Sequence, residues 1–361
     1  MPVSKLPGNQ KMNNIQIGDI SIGRSHKPFI IAEMSGNHNR SLDRALEIVA
    51  AAAKSGAHAL KLQTYTADTM TLNVNKGEFF IDDEESLWKG ESLYELYKEA
   101  YTPWDWHKPI MKRANELGML CFSTPFDNTA VDYLEDLNVP AFKIASFENT
   151  HSPLIKKVAS TGKPMIISTG MASIAEMDEM VQTIRDAGCE QFILLKCTST
   201  YPTNPENSNV LTIPHMRKLF NCEVGLSDHT MGIGVSVSAI AHGASVIEKH
   251  FTLRRSDGGV DSAFSLEPNE MKQLLVETER AWQCLGKVTY GPTEAEKGSL
   301  VFRRSLYIAD DMKKGDVLSE KNIRIIRPGL GLDPKYYDIL LGRKVNIDVL
   351  KGTAISWELV A

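Results

Sequence analysis

The sequence predicts an α/β fold: a (β/α)₈ barrel with a β-hairpin ahead of it and a small β-rich module behind. Three observations carry that prediction. Eight apolar runs of strand length alternate with amphipathic helical stretches, and such alternation implies parallel strands joined by right-handed crossovers. The eight units occupy roughly 250 residues, the size at which such a barrel closes. Past residue 290 the rhythm gives way to short strands and tight turns. A doubly wound open sheet shares the same local grammar; the leading hairpin and the count of eight favour the barrel.

The hairpin is "NIQIGDISIG" (14–23), in which Ile15, Ile17, Ile20 and Ile22 alternate about Gly18-Asp19. Strand-length runs follow at "PFIIAEM" (28–34), "AHALKLQ" (57–63), "MLCFSTP" (119–125) and "AFKIAS" (141–146), then at "PMIISTG" (164–170), "FILLKCT" (192–198), "CEVGLSD" (222–228) and "SVIEKHFT" (245–252). Helices are marked by their punctuation. Ser173-Ile174-Ala175-Glu176 forms a capping box, Ile174, Met177, Val181 and Ile184 make one face, and Gly188 ends it. Leu42, Ala45, Leu46 and Val49 make a similar face that stops at Gly56. Residues 64–103 are far longer than an ordinary strand-to-helix connection. They leave the C-terminal end of the second strand, and Phe79, Phe80, Trp88, Tyr94, Tyr97 and Tyr101 are available to pack them down. A packed excursion and a substrate cover are equally compatible with that composition. The predicted organisation is a barrel domain with its hairpin over 1–290, a linker over 291–300, and a separate module over 301–361. A module of that size sits near the lower limit of independent folding, so it is expected to lean on the barrel or on a second copy of the chain.

Composition excludes several function classes. With 42% hydrophobic and 24% charged residues the chain is an ordinary globular one. Its net charge of −5 gives no general attraction for nucleic acid, so an anionic ligand must be held by locally placed lysines or arginines. No apolar run is long enough to cross a bilayer, and the leading "MPVSKLPGNQKMNN" lacks the apolar core of a signal peptide. The five cysteines are scattered, odd in number and without a CxxC, which argues against a disulfide framework or a cysteine zinc site. A cytoplasmic setting is expected.

Chemistry is concentrated at the strand ends. The closing residues of the eight runs are Glu33; Lys61 and Gln63; Ser123; Lys143 and Ser146; Ser168; Thr198 and Ser199; Ser227, Asp228 and His229; and His250. Every run delivers polar groups at the end where barrels place their active sites. Each one alone could be a satisfied core polar group; together they are more than stability needs. His229 and His250 end neighbouring strands, about 5 Å apart, so both imidazoles could reach one divalent cation and leave positions open for water or substrate. The bland alternative is a histidine that only hydrogen-bonds in the core. Alternation sends Glu248 and His250 to one side and Lys249 to the other. Glu248 is open to two readings: steadying a metal-ligand histidine, or pairing with Lys249 or another cation as plain structure. Lys61 and Lys143 point toward a common mouth, and two converging ammonium groups need an anion between them. With Ser146, Ser168, Ser227 and the helix start after "STGM" they suggest a phosphate or carboxylate site; either lysine could instead pair with Glu33 or Glu148. The histidines at 26, 58, 107, 151, 215 and 242 are assigned structural or surface roles.

The ordered motifs "IAEMSGNHN", "KLQT", "FKIASFE", "ISTGM", "CTSTYPT", "GLSDHT" and "EKHFT" resemble the sialic acid synthase family, and "RRSLY" with "IRPGLG" resembles its antifreeze-protein-like (SAF) domain. The resemblance runs from about Ile15 to the end of the chain. It implies a TIM barrel that condenses phosphoenolpyruvate with an acylamino sugar to a nine-carbon 2-keto acid and phosphate. It also implies a divalent cation (Mn2+ or Mg2+, with Co2+ a further candidate), and a domain-swapped homodimer in which each small domain completes the partner's barrel. Carried onto this chain, it places the metal on His229 and His250 and phosphoenolpyruvate on Lys61, Lys143, Ser146, Ser168, Ser199 and Ser227. Glu33 becomes the acid/base, and Gln63, Glu148, Tyr201 and Asp261 face the sugar, with Arg327 reaching across the dimer. Tyr201, Asp261 and Arg327 rest on the resemblance alone. The chain departs from neuraminate synthases at Ser199, where they carry Asn, and at Ser35-Gly36-Asn37-His38-Asn39-Arg40, where they carry GxNHxG. These variants, with "LKLQTYTADTMTL" and "SLWKGESLYELYKEAYTPW", resemble the branch whose sugar is a 2,4-diacetamido-2,4,6-trideoxy-altrose, for which Met34, Tyr65 and the aromatic insertion could supply apolar lining. Competing readings are N-acetylneuraminate or legionaminate synthesis, a metal-dependent pyruvate aldolase or lyase, and a carbohydrate-binding protein without catalysis. The joint presence of Glu33, both lysines and both histidines speaks against the last.

Overall fold

Eight parallel strands close on themselves in the computed structural model, which describes residues 14–84 and 88–361. The leading stretch as far as Asn13, and Glu85-Ser86-Leu87 of the insertion, lie outside the described residues. A hairpin of β1 (Ile15–Ile17) and β2 (Ile20–Ile22) precedes the barrel, antiparallel about a turn in which Gly18 takes φ 58°. Ile15, Ile17 and Ile22 are buried against the barrel core, the reason for the alternation in that segment.

The barrel strands are β3 (Phe29–Glu33), β4 (Ala59–Thr64), β5 (Leu120–Pro125), β6 (Phe142–Ile144), β7 (Met165–Ser168), β8 (Phe192–Cys197), β9 (Glu223–Asp228) and β10 (Val246–His250). β10 pairs with β3, so the sheet has no edge, as the count of eight implied. Register then does the positioning. Glu33 lies level with Lys61 of β4 on one side and with His250 of β10 on the other. Glu248 is level with Ser227, and Lys249 with Asp228. Lys249, directed outward by the strand alternation, ion-pairs with Asp228 at 3.0 Å.

The Gly56 stop and the Ser173 capping box read from the sequence both recur. Ser41 accepts a hydrogen bond from the Arg44 amide at the start of α1 (Leu42–Ser55), and Gly56, at φ 95°, stops it. In the insertion lie α2 (Ala67–Met70) and α3 (Leu93–Ala100), and α4 (Trp104–Glu116) follows it. Next come α5 (Asn128–Asp136) and α6 (Ser152–Ala159), the latter capped by the His151 ring. Ser173 and Glu176 form the expected capping box of α7 (Ile174–Asp186). Its buried face is Met177, Met180, Val181 and Ile184; Ile174, read as part of that face, is exposed in the first turn. Completing the ring are α8 (Thr212–Phe220), α9 (Gly234–Ala241) and α10 (Pro268–Cys284).

The insertion is tied down at both stems. Thr64 Oγ1 meets His107 Nε2 at 2.7 Å, and Thr102 Oγ1 meets His38 Nε2 at 3.2 Å. Tyr65 packs edge-on against Tyr97 and Phe126.

The chain divides by contacts into Met1–Gly286 and Lys287–Ala361. The second unit has β11 (Ser305–Ile308) antiparallel to β12 (Ile323–Ile326), further isolated bridges, and a core of its own around Leu306, Ile308, Leu318, Ile323, Leu340 and Ile355. Overlapping the stretch read as a linker, Glu294–Phe302 forms 3-10 turns begun by a capping box of Thr293 and Glu296.

Candidate active site

The opposite charges at the strand ends meet inside the barrel. Lys61 Nζ lies 2.7 Å from Glu33 Oε2 and 3.7 Å from Glu248 Oε1, and it donates to Thr124 Oγ1 at 3.2 Å. Lys143 Nζ lies 3.8 Å from that same Glu248 oxygen and donates to Ser168 Oγ at 2.7 Å and to the Ile144 carbonyl at 3.0 Å. Ser227 Oγ donates to Glu248 Oε1 at 3.4 Å. The two lysines therefore converge as expected, and the anion between them in the free protein is Glu248. All four ionisable groups are buried, where pairing is what allows them to stay charged. Burial works against the Lys61 ammonium, but Glu248 and Glu33 outweigh it and raise its pKa. Burial also opposes the Glu248 carboxylate, and Lys143 and Lys61 more than offset this, leaving its pKa lowered. For Glu33 burial dominates and raises the pKa despite Lys61, which suits a carboxyl that holds and releases a proton. Burial lowers the pKa of Lys143, with Glu248 acting against it.

Three hydroxyls gather beside Lys143. Ser168 holds the lysine directly, and Ser146 Oγ accepts from the Gly170 amide at 3.1 Å. A Cβ at Gly170 would collide with both Ser199 Oγ and Ser146 Oγ, so only glycine lets those hydroxyls share this corner. Glu148, on the turn after β6, is pushed up to about 7 by burial, against Lys143. Its Oε2, like that of Glu248, is buried without a hydrogen-bond partner.

The two imidazoles have ring centroids 5.5 Å apart, and His229 Nδ1 lies 3.9 Å from Cys197 Sγ, itself 3.8 Å from Ser199 Oγ. His229 Nδ1 lies 2.9 Å from the Thr198 carbonyl; donating there leaves its Nε2 lone pair free, the arrangement that orients a metal-ligating histidine. His250 Nδ1 is buried without a hydrogen-bond partner and lies 3.6 Å from Asp261 Oδ2. Burial, then the neighbouring His229, push the His250 pKa well down and keep the ring neutral, the form that ligates. Among the described residues no group of three or more His, Cys, Asp or Glu side chains is disposed around one point. Two imidazoles with free lone pairs fit a cation that keeps open positions, and they do not make a closed structural site.

An aromatic wall adjoins them. The Tyr201 ring lies 4.5 Å from His229 and 5.4 Å from Phe264, centroid to centroid, and Trp88 from the insertion approaches Tyr201 at 6.5 Å. Trp88 Nε1 donates to the Val260 carbonyl at 3.3 Å, next to Asp261. Gln63 Nε2 donates to Glu33 Oε1 at 3.0 Å and to Ser35 Oγ at 3.2 Å, and Ser35 in turn donates to Asp261.

The geometry thus brings Glu33, Lys61, Gln63, Lys143, Ser146, Glu148, Ser168, Ser199, Tyr201, Ser227, His229, His250 and Asp261 to one end of one barrel. Arg327 is not among them: it follows β12 in the second unit and is exposed. Met34 is wholly buried, Tyr65 anchors the insertion, and Trp88 of the insertion approaches the Tyr201 ring. Ser35 escaped the sequence reading, although its place where the related motif has glycine was a signal.

Comparison with known proteins identifies the family. The NeuB family model matches residues 48–290 and the SAF domain model matches residues 303–361. The pseudaminic acid synthase of Campylobacter jejuni is 43% identical over 342 residues, covering 95% of this chain and 98% of that one. The pseudaminic acid synthase of Helicobacter pylori is 41% identical, covering 91% and 96%. Among solved structures, N-acetylneuraminic acid (sialic acid) synthetase from Leptospira borgpetersenii, in complex with citrate, matches with a TM-score of 0.71 at 32% identity, covering 80% of this chain and 95% of that one.

Proposed function

The chain belongs to the NeuB family of sialic acid synthases, and from that premise we propose that it is a pseudaminic acid synthase. In this reading it is a transferase that condenses phosphoenolpyruvate with 2,4-diacetamido-2,4,6-trideoxy-β-L-altrose, giving pseudaminic acid and phosphate. The observation that carries it is the convergence of Lys61 and Lys143, 3.7 and 3.8 Å from one Glu248 oxygen, beside two ligand-ready imidazoles. Paired buried ammonium groups suit a trianionic substrate, and an acceptor sugar carrying an aldehyde belongs next to a Lewis acid. The pseudaminic acid synthases of Campylobacter and Helicobacter support the choice of sugar.

The chain's own residues account for the steps as follows. Lys61 and Lys143 hold the phosphate and carboxylate of phosphoenolpyruvate, with Ser146, Ser168, Ser199 and Ser227 filling the remaining acceptors. Gln63, Glu148, Tyr201 and Asp261 hold the open-chain sugar so that its aldehyde carbon faces C3 of phosphoenolpyruvate; such alignment contributes up to about 7–11 kcal/mol. A divalent cation, Mn2+, Mg2+ or Co2+, held by His229 and His250, would supply Lewis acidity at the aldehyde oxygen. The C3–C1 bond forms with the π electrons of the enol, and the protonated Glu33 gives its proton to the aldehyde oxygen. Water then adds to the cationic C2, and the Glu33 carboxylate takes the proton it sheds. The resulting hemiketal phosphate collapses to the ketone: the bond from C2 to the bridging oxygen breaks, that oxygen leaves on phosphorus, and the C2 hydroxyl proton goes with the phosphate.

A homodimer and a cytoplasmic setting belong to the same proposal. Phe147, Met171 and Met231, which follow β6, β7 and β9 at the mouth, are exposed at 62%, 65% and 52%. A partner's C-terminal domain would cover that apolar rim and bring the partner's Arg327 toward the sugar. No described helix is long and apolar enough to cross a membrane.

Phosphate release from phosphoenolpyruvate tests the reading. We expect the altrose derivative to be turned over in preference to N-acetylmannosamine and to the legionaminate precursor; a higher kcat/KM for either of the others overturns the choice of sugar. His250→Ala should lose activity, and added Mn2+ should raise the melting temperature of the wild type but not of the variant. Full turnover by wild type in excess chelator removes the cation from the scheme.

A further inference from the structure

Ser35 is built into the backbone in a way that needs an explanation. It takes φ 46°, in the left-handed region where a Cβ is strained and glycine is not. Among the described non-glycine residues with positive φ, four are asparagines (Asn39, Asn138, Asn209, Asn221), the residue type that tolerates this conformation; Ser35 is not of that kind. A serine that keeps such a conformation in a buried site does so for its hydroxyl.

That hydroxyl joins two halves of the site. Ser35 Oγ donates to Asp261 Oδ2 across 226 residues of chain, and it accepts from Gln63 Nε2 at 3.2 Å. Gln63 passes the connection to Glu33, 3.0 Å from its other contact, and Asp261 Oδ2 passes it toward His250 Nδ1 at 3.6 Å. Asp261 sits on the connection after β10, between short turns, and not on a strand. Without the Ser35 hydroxyl, no side-chain hydrogen bond among the described residues fixes the Asp261 carboxylate, which keeps its 3.6 Å approach to His250, and Gln63 Nε2 keeps Glu33. Among the described residues, Lys61, Lys143, Ser146 and Ser168 make their hydrogen bonds to groups other than Ser35.

We propose that Ser35 is a specificity-determining positioning residue, whose hydroxyl locks Gln63 and Asp261 in the orientation that recognises the acylamino sugar while leaving phosphoenolpyruvate binding untouched. The inference rests on the proposed function, and it adds to that reading a residue that acts through its two neighbours.

Two variants separate the hydroxyl from the backbone. Ser35→Ala keeps the strained Cβ and removes the hydroxyl; Ser35→Gly removes both. KM for each substrate and the melting temperature are measured for wild type and both variants, using whichever of the altrose derivative, N-acetylmannosamine and the legionaminate precursor the wild type turns over best. We expect KM for the sugar to rise about tenfold in both variants, the loss of a hydrogen bond to a charged group. KM for phosphoenolpyruvate should stay within about twofold, and Ser35→Gly should melt no lower than Ser35→Ala because it sheds the strain. A sugar KM unchanged in both variants, or both KM values rising together, overturns the assignment. Wild type preferring another sugar refutes the proposed substrate while the Ser35 comparison still decides its own question. Wild type turning over none of the three overturns both.

Discussion

Glu248 holds the strand-end charges together in the free protein. One of its oxygens serves two lysines, and Glu33 serves only Lys61. Glu248→Gln should therefore leave Lys143 without a carboxylate and cost on the order of 3 kcal/mol of stability, as breaking a buried pair does. Inorganic phosphate supplies the missing anion, so it should raise the melting temperature of the variant by more than that of the wild type. Equal increments in the two proteins would show that Glu248 and substrate anions do not share this place. Part of this was legible in the sequence: strand alternation puts Glu248 and His250 on one face and Lys249 on the other. Its partners were not, because they depend on which strand closes against which, and Lys143 belongs to a strand that does not pair with β10. The hydrogen bond between Ser35 and Asp261 was hidden for the same reason: it spans 226 residues and leaves no local pattern.

At the scale of elements, the insertion shows where length and composition stop informing. Its size marked residues 64–103 as an excursion, yet what fastens it are two histidines outside it, His38 and His107, one of them assigned only a structural or surface role from sequence. Burial lowers both to about 4, the largest cause in each case, with His107 adding to the effect on His38. An unfolded histidine takes up a proton near pH 6.5, and these two refuse it until about pH 4. Their contribution to stability is thus complete above pH 6.5 and is lost as the pH falls through that window, by roughly 3 kcal/mol each at its lower end. Glu148 acts in the opposite sense: held at about 7 by burial, it favours the fold at low pH and loses that effect as the pH rises through 7. Comparing wild type with His107→Gln cancels Glu148. Thermal unfolding between pH 7 and pH 5 should show a smaller drop in the variant, which keeps a polar group for Thr64 but has nothing to protonate. Identical slopes would mean that His107 is not the group being titrated. The barrel strands, by contrast, were legible because each apolar run is buried on both faces and needs no distant partner to be recognised.

At the scale of the molecule, the barrel unit holds every proposed substrate contact except Arg327, which lies exposed in the unit spanning Lys287–Ala361. No sequence pattern within one chain can reveal whether that arginine acts on its own barrel or a partner's, and subunit mixing can. In the proposed dimer, His250→Ala disables a barrel and Arg327→Ala disables the domain given to the partner, so each variant alone should be inactive. In a hybrid dimer, the intact barrel of the Arg327→Ala subunit receives an intact domain from the His250→Ala subunit, so one of the two sites works. Random reassortment makes about half of the dimers hybrid, and total activity should recover to about a quarter of that of wild type after the two are unfolded, mixed and refolded together. Recovery requires the contribution in trans, because a site assembled within one chain is defective in both subunits of the hybrid. Mixtures that stay inactive while refolded wild type regains turnover would confine Arg327 to its own chain, and an Arg327→Ala protein active by itself would take it out of the site.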